Sequence, residues 1–571
     1  MGLGRKEIIS PLLLLLIIQN ILLNSLSVAG RRKQPAFSNP KLKEEYKNDV
    51  RSYSLGAVTS DSHICSEIGG GILRLGGNAV DAAISTEFCL YVTDVQATGL
   101  GGGGKMMIYS KRENKVYFLN FRETSPILTS KIPKDINFRR GPLSIGIPGN
   151  VLGLYTAWKK FGSLKWKFLI RPAIVLAIRG FKMSKHLYMC TKNVAKYIRK
   201  DRALRRTLMR RKKIKRPGEL IKNRALGRTL KKISIDPMSF YRGKVADDIV
   251  RDIKKAGGIL TKEDLTSFRV TWEKPLSFKV GSGLVGYVPG ANSGGPQVKY
   301  IIDTLKTLKY SFLKGKSIDP NRFYQKILDV FKLSFAERTR IAKKNPFKIK
   351  NFLKLPAITS DRRTTNSAHS AIQSDRFVKY EHGTSHLNTF DRFGNAVALT
   401  SSINTQLGSM IMSPKTGILF NNQMSDFNKQ GNKKYQLPPV EGNEARPKSE
   451  PLSSMCPLIV VDKNKNVKMV SGGSGGPLII TTLAQILINR FWLGLPYDET
   501  ISRWRIHHQD IPNRDSTSNI YRTTSKQVRN VFMIAYKFQL HENDIFNQLV
   551  TRTVKKSDTT KIIKSMKRIL D

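Results

Sequence analysis

Apolar residues recur at helical spacing in several stretches of the chain, and these stretches predict its helices. The segment that follows Asn78 has this pattern, which indicates a buried helix. Residues 149–182 and the stretch "IITTLAQILINRFW" are also predicted to be helical. Two further helical pieces are expected over about 244–256 and about 320–344.

Alternating apolar and polar residues predict β-hairpins elsewhere in the chain. The stretches "KMMIYSKRENKVYFLNFRE" and "PLIVVDKNKNVKMVSGG" each contain two such runs joined by a polar turn. After residue 383, "SHLNTFD" alternates, "RFGN" provides a turn and "AVALTSSI" alternates again. Hairpins mixed with helices favour a layered fold built from helices and antiparallel sheets.

The net charge of this 571-residue chain is strongly positive. Lys and Arg number 98 against 42 acidic residues, a formal excess of +56. The tract 199–232 alone has sixteen basic residues and two acidic ones. A solvated surface explains this tract, and a face that binds anionic glycans or membranes is the alternative. Nucleic acid is not expected as a partner, because no aromatic residues are interleaved to stack on bases.

The N-terminus has the pattern of a targeting segment. Arg5 and Lys6 precede a long apolar run, and Ser27-Val28-Ala29 offers small residues for a cleavage site. Residues 1–29 are therefore predicted to be a signal peptide or an uncleaved signal anchor. In either case the body of the protein is expected to be secreted or to lie on the extracellular face of a membrane.

Neither a metal nor a cofactor is expected. The four cysteines show no CxxC or Cys/His zinc spacing. The stretch "GLGGGGKM" at 99–106 nearly matches a phosphate-binding loop, but Met106 stands where a hydroxyl would ligate magnesium. We therefore interpret this glycine run as a loop beside a closely packed backbone.

Gly383-Thr384-Ser385 stands immediately before a predicted strand. Turn chemistry explains this, but cleavage before Thr384 would turn an internal threonine into an N-terminal nucleophile. Such a threonine supplies its own base, because its α-amine has a pKa near neutrality, about 7.7–8.0. Gly383 has no Cβ, which leaves the carbonyl to be attacked accessible.

The hairpin register suggests a partner for this threonine. If Phe393-Gly394-Asn395 forms a three-residue loop, Thr384 lies opposite Asn404, and Ser402 is a diagonal neighbour on the same face. The segment "SGGSGGP" at 471–477 joins a strand to a helix, so its backbone N–H groups could form an oxyanion hole.

Ten sequence blocks resemble the γ-glutamyltransferases in order and spacing over about residues 50–550. They are "GGNAVDAA", "GLGGGG", "NFRETSP", "IPGNVLGLYTAWKKFG", "FYRGKVADDI", "HGTSHL", "SSIN", "GILFNNQMSDF", "PLSSMCP" and "GGSGGP". The resemblance implies a layered α+β (αββα) N-terminal-nucleophile hydrolase fold, with two stacked antiparallel sheets between helices. It also implies that self-cleavage separates a large subunit, 30–383, from a small one, 384–571.

The implied chemistry is the transfer of a γ-glutamyl group. The Thr384 hydroxyl would attack the γ-amide of glutathione or a related compound, and water or an acceptor amino acid or dipeptide would release the ester. The resemblance assigns Arg122, Ser453 and Ser454 to the donor α-carboxylate. It assigns Asn404, Gln423 and Asp426 to the donor ammonium, Gly475 and Gly476 to the oxyanion hole, and Ser402 to orienting the Thr384 amine.

The same resemblance implies a disulfide between Cys65 and Cys89 and a buried free thiol at Cys456. Three departures from the family pattern stand out. Ser402 occupies a position that is often threonine, and Gln423 stands where some relatives have glutamate. The C-terminal sequence "KKSDTTKIIKSMKRILD" lacks the usual ending of the small subunit.

Two alternatives remain open beside this reading. One is an acylase of the same architecture with a different acyl group. The other is a secreted homologue that binds anionic surfaces and has lost turnover. Arg122, Asp426 and the serine pair disfavour the acylase, because together they suit an α-amino acid head group.

Overall fold

The structure is a computed structural model. It describes residues 56–133, 136, 138–307, 320–336, 338, 383–428, 440, 442–503, 505–509, 521–523 and 531–535. The predicted targeting segment, the unusual C-terminal sequence and the end of the helix predicted to reach residue 344 lie outside these residues.

The strands and helices follow one another along the described chain. The strands are β1 Gly56–Ser60, β2 Gly103–Ser110, β3 Lys115–Phe121, β4 Phe181–Lys182, β5 Met209–Arg210, β6 Lys213–Ile214, β7 Leu220–Ile221, β8 Thr271–Glu273, β9 Leu276–Gly281, β10 Leu284–Val288, β11 Gly383–Asp391, β12 Ala396–Asn404, β13 Leu458–Asp462, β14 Val467–Gly473, β15 Arg505–His507, β16 Tyr521–Thr523 and β17 Val531–Ala535.

The helices are α1 His63–Arg74, α2 Ala79–Thr93, α3 Asn150–Phe161, α4 Trp166–Arg179, α5 Lys185–Asn193, α6 Ala195–Ile198, α7 Arg202–Leu208, α8 Arg224–Ile235, α9 Ser239–Arg242, α10 Lys244–Lys255, α11 Lys262–Ser267, α12 Gly295–Thr307, α13 Pro320–Ala336, α14 Leu478–Leu487 and α15 Tyr497–Ser502. A π-helical turn, Ile488–Trp492, extends α14. The three hairpins are confirmed, as are the helices predicted after Asn78, over about 244–256 and in "IITTLAQILINRFW". The prediction of helix over 149–182 is correct only in part, because α3 ends before Gly162, α4 ends before Gly180 with its φ of 102°, and the segment finishes as strand β4.

Two antiparallel sheets form the centre of the molecule. A six-stranded sheet has the order β1-β11-β12-β2-β3-β8, and a five-stranded sheet has the order β17-β14-β13-β10-β9. Strands β11 and β12 pack against β14 of the other sheet. Helix α2 covers the outer face of the six-stranded sheet, while α12 and α14 cover the five-stranded sheet. The predicted αββα layering, with two stacked antiparallel sheets between helices, is confirmed.

Helix α2 shows how the sequence builds this core. The side chain of Asn78 accepts hydrogen bonds from the backbone N–H groups of Val80 and Asp81, and the Asp81 carboxylate accepts one from the Asn78 N–H at 3.1 Å. This reciprocal capping box begins the helix sharply. Every residue of α2 is buried, because β11 and β12 lie on one side of it and α4 on another.

The register of the β11–β12 hairpin differs from the predicted one. Phe390 pairs with Ala396, so Thr384 lies directly opposite Ser402 rather than opposite Asn404. The turn begins earlier because the Asp391 carboxylate accepts hydrogen bonds from the backbone N–H groups at 393 and 395. The difference is two residues, which preserves the face on which each side chain lies.

The cysteine predictions are confirmed. Cys65 of α1 and Cys89 of α2 form a disulfide, and Cys456 is a buried free thiol whose pKa is raised by burial.

Within the described residues, no helix combines the length and hydrophobicity that crossing a bilayer requires.

Candidate active site

The hydroxyl of Thr384 lies in a short chain of hydrogen bonds. Its Oγ1 is 3.0 Å from Ser402 Oγ, and Ser402 Oγ donates to the carbonyl oxygen of Gly383 at 2.7 Å. The backbone N–H of Asn404 donates to the same serine oxygen at 2.8 Å. Because the single Ser402 proton is used on Gly383, the Thr384 hydroxyl must donate to Ser402. The arrangement polarises the Gly383 carbonyl and gives the threonine proton an acceptor.

Local backbone features hold this chain in place. A β-bulge between Gly383 and Thr384 brings Gly383 opposite Asn404, whose φ of 78° lies in the left-handed region. The Asn404 side-chain amide donates to the Asn422 carbonyl and to Ser425 Oγ, both at 2.9 Å. A Cβ on Gly383 would lie 2.1 Å from the carbonyl oxygen of Thr405, so only glycine fits there.

Arg122, Gln423 and Asp426 form a buried ionic group. Arg122 Nη2 lies 2.8 Å from Asp426 Oδ2, and Gln423 Nε2 donates to the same carboxylate oxygen at 2.5 Å. The structure therefore brings Arg122 of one sequence block into contact with Gln423 and Asp426 of another. Asn404 adjoins them through Ser425, which lies in the same short helical turn, Gln423–Asp426.

Sequence reasoning missed Glu123, which also belongs to this group. Its Oε2 lies 3.7 Å from Arg122 Nη1, and its carboxylate is completely buried. Burial raises its pKa to about 7, although the Arg122 charge acts in the opposite direction. The sequence signal for Glu123 was its position directly after Arg122. Strand alternation, however, predicts that neighbouring residues lie on opposite faces, so this position did not indicate that Glu123 lies beside Arg122.

The predicted serine pair lies on a separate loop. Ser453 N–H donates to the Asn292 carbonyl at 3.2 Å, and Ser453 Oγ accepts from Met455 N–H at 3.1 Å. Ser454 Oγ lies 3.4 Å from Nη1 of Arg338, another residue that sequence reasoning missed. Among the described residues, neither serine forms a hydrogen bond with Arg122.

The glycine turn after β14 has a backbone conformation that favours glycine. Gly475 has φ 132° and Gly476 has φ 58°, values that side-chain-bearing residues rarely adopt. The turn lies between β14 and α14, and β14 packs against the Thr384 hairpin. Within the described part of the chain, no hydrogen bond joins this turn to Thr384.

Two acids, the buried Glu87 and the half-buried Asp61, lie behind the hairpin. Asp61 accepts from Ser385 Oγ at 2.6 Å, and Glu87 accepts from Ser401 Oγ at 2.5 Å. Burial raises the pKa of Glu87 to about 7 and that of Asp61 well above its ordinary range. Because side chains alternate along strands, these acids face away from Thr384 and Ser402.

No cluster of three His, Cys, Asp or Glu residues in the described ranges is arranged to hold a metal ion.

The two stacked sheets, one of which contains this hairpin, define the fold of the N-terminal-nucleophile hydrolases. A solved cephalosporin acylase from Bacillus halodurans has the same fold, with a TM-score of 0.68 and 23% identity over 83% of this chain and 86% of that one. The family model for gamma-glutamyltranspeptidase matches residues 65–542, and the chain belongs to that family.

Two relatives illustrate the membership. Glutathione hydrolase 2 of Arabidopsis thaliana is 37% identical over 483 residues, which cover 81% of this chain and 82% of the relative. The glutathione hydrolase proenzyme of Escherichia coli is 31% identical over 486 residues, covering 80% and 82%. As a member of this family, the protein is an enzyme of the hydrolase or transferase type.

Proposed function

We propose that this protein is a self-processing γ-glutamyltransferase that acts on glutathione and related γ-glutamyl compounds. The observation that carries the proposal is the hydrogen-bond chain from the Thr384 hydroxyl through Ser402 to the Gly383 carbonyl. A nucleophile, a proton acceptor and a polarised carbonyl are the three components that intramolecular cleavage requires. Family membership and the Arg122–Asp426 pair support the γ-glutamyl substrate.

Self-cleavage begins with attack of Thr384 Oγ1 on the Gly383 carbonyl carbon. As the C–O bond forms, the threonine proton moves to Ser402 Oγ and Ser402 passes its own proton to the Gly383 oxygen, which is therefore neutralised as its negative charge develops. The C–N bond then breaks, and the departing Thr384 nitrogen takes up the proton, which leaves an ester on Thr384. Water hydrolyses the ester and yields a carboxylate at Gly383 and a free amine at Thr384.

The freed amine then serves as the base for catalysis. It accepts the Thr384 hydroxyl proton while Oγ1 attacks the γ-carbonyl of the donor, and it returns the proton to the leaving amine. A γ-glutamyl ester on Thr384 results. Backbone N–H groups at Gly475 and Gly476 are the donors proposed for the oxyanion. Water releases glutamate from the ester, and an acceptor amino acid or dipeptide takes the γ-glutamyl group by transfer.

Charge complementarity supports the proposed orientation of the donor. Its α-carboxylate would bind Arg122 and the two serines, and its ammonium would bind Asp426, Gln423 and Asn404. The guanidinium of Arg122 is buried, and its Nε has no hydrogen-bond partner in the part of the chain that the structure describes. A buried donor without a partner favours an anionic ligand that supplies the missing acceptor.

The activity is tested by comparing the wild-type protein with Thr384→Ala. The wild type should release the chromophore from a γ-glutamyl anilide and hydrolyse glutathione, whereas the variant should do neither. Rapid acid quenching during turnover, followed by peptide mass analysis, should find a γ-glutamyl group on Thr384. An acyl group on another residue, or an active Thr384→Ala protein, would contradict the proposal.

A further inference from the structure

A buried arginine lies behind the serine pair. Arg338 follows α13, and only 4% of its surface is exposed. Its Nη1 donates to Gln297 Oε1 of α12 at 2.8 Å and lies 3.4 Å from Ser454 Oγ. Its Nε is buried, and no residue of the described chain accepts a hydrogen bond from it. A charged side chain in such a place needs a compensating partner, because removing a charge from water is costly.

The described residues supply Arg338 with only neutral partners. Gln297 offers an amide oxygen and Ser454 a hydroxyl, and no described carboxylate lies within ion-pair distance of the guanidinium. Arg122 differs, because Asp426 pairs with it at 2.8 Å. Burial lowers the pKa of Arg338 to about 10, and the charge of Asp426 acts in the opposite direction. Arg338 is therefore electrostatically coupled to the ionic group although it does not contact it.

Donor and acceptor roles fix the direction of the serine hydroxyls. A guanidinium has hydrogen-bond donors and no acceptor, so Ser454 Oγ can only accept from Arg338. Ser453 Oγ likewise accepts from the Met455 N–H. Each hydroxyl therefore keeps its own hydrogen for a different acceptor. Because Arg338 and the Met455 N–H donate to these two oxygens, the hydroxyl hydrogens of Ser453 and Ser454 are both available to a further acceptor. Two adjacent hydroxyl donors form a site suited to an anion.

We propose that Arg338 is a positioning residue for the donor α-carboxylate, which it serves by holding Ser454 as a hydrogen-bond donor and by adding positive charge behind the serine pair. This inference rests on the proposed γ-glutamyltransferase function. The same proposal gives Gln297 a positioning role, because the Gln297 amide oxygen accepts a hydrogen bond from the Arg338 guanidinium at 2.8 Å and holds it in place.

The test compares two donors that differ only in the carboxylate. One is a γ-glutamyl anilide, and the other is the 4-aminobutyryl anilide, which lacks the α-carboxylate. In Arg338→Met, KM for the γ-glutamyl donor should rise about 10- to 100-fold with a smaller change in kcat, since a charged hydrogen-bond network is lost. The rate with the 4-aminobutyryl donor should stay the same as in the wild type. Arg179→Met, at an exposed arginine of α4, is the matched control and should leave both donors unaffected.

A double-substitution cycle separates positioning from general structural damage. In a Ser454→Ala background, Arg338→Met should add less than about a threefold further loss, because both changes remove the same interaction. Arg338→Lys keeps the charge and should recover part of the KM, which also covers the case in which the methionine variant folds poorly. Appearance of both subunits on a gel reports folding of every variant.

The outcomes distinguish a failure of the proposed γ-glutamyltransferase function from a failure of the proposed role of Arg338. A correctly folded wild type that fails to use the γ-glutamyl donor overturns the proposed function and this inference with it. An active wild type whose Arg338 variants show unchanged KM overturns the inference alone. Equal losses with both donors, or fully additive effects with Ser454→Ala, also overturn it, because they indicate a structural role.

Discussion

The Thr384 hairpin and the ionic group around Arg122 differ in how completely their polar atoms are hydrogen-bonded. In the hairpin, Thr384 and Ser402 are neutral hydroxyls with partners between 2.7 and 3.0 Å away. In the ionic group, the described residues provide no hydrogen-bond partner for two buried atoms, Arg122 Nε and Gln423 Oε1. One region is complete within the polypeptide, whereas the other has unused donors and acceptors.

This difference indicates two separate tasks. Apart from water, self-cleavage needs only atoms of the chain itself, and the hairpin supplies them before any substrate arrives. Donor binding needs a charged ligand, and within the described residues Arg122 Nε and Gln423 Oε1 of the ionic group have no hydrogen-bond partner. The two regions should therefore respond differently to substitution: changes in the hairpin should affect processing, and changes in the ionic group should affect only turnover.

Removing the Ser402 hydroxyl is the stronger way to test this separation. Ser402→Ala deletes both the acceptor of the Thr384 proton and the donor to the Gly383 carbonyl, so processing should slow about 100- to 1,000-fold. The rate is measured by following the uncleaved band on a gel after synthesis. Ser402→Thr keeps the hydroxyl and serves as the control, with processing close to the wild-type rate. Rapid processing of the alanine variant would remove Ser402 from the mechanism.

Neutralising Asp426 tests the opposite region. Asp426→Asn should process normally, but its KM for a γ-glutamyl donor should rise about 10- to 100-fold, because the donor ammonium loses its counter-charge. Asp247→Asn, at an aspartate of α10 that pairs with Lys262, is the control and should change neither quantity. Should Asp426→Asn block processing, the two regions would not be independent.

The third prediction concerns the protonation of Glu87, which lies behind the neutral hairpin. The pKa of Glu87, which supports Ser401, is raised to about 7, so the folded state keeps a proton that the unfolded chain loses above about pH 4.5. Stability should therefore fall as the pH rises from about 5 to 7. In Glu87→Gln, the decrease in the free energy of unfolding over this pH range should be smaller than in the wild type by on the order of 2 kcal/mol.

Denaturant unfolding at several pH values measures this effect. The free energy of unfolding of Glu87→Gln should depend less steeply on pH than that of the wild type, while the exposed Glu263→Gln control keeps the wild-type slope. Parallel wild-type and Glu87→Gln curves would mean that Glu87 is ionised in the folded state across this range.

The sequence predicted the elements of this fold well because hydrophobic periodicity is a local signal. Helix α2 and the hairpin strands follow directly from it. The exact pairing of Thr384 was wrong by two residues, because the Asp391 carboxylate starts the turn earlier than the glycine pattern suggested. Periodicity defines the face on which a strand residue lies, but side-chain contacts in the turn determine its partner.

The site was predictable to a different extent. Arg122, Gln423 and Asp426 were recognised through their sequence blocks, and the structure brings them into contact. Glu123 and Arg338 were missed, because their importance comes from burial and from partners distant in sequence. Arg338 contacts Ser454 across 116 residues, a proximity that no local pattern reports.

N-terminal sequencing of the freshly purified protein tests the central claim most directly. The account predicts two fragments, of which the smaller begins Thr-Ser-His-Leu, and a single uncleaved chain from Thr384→Ala prepared in parallel. A wild-type protein that remains one polypeptide while it hydrolyses glutathione at the rate of a processed enzyme would contradict it.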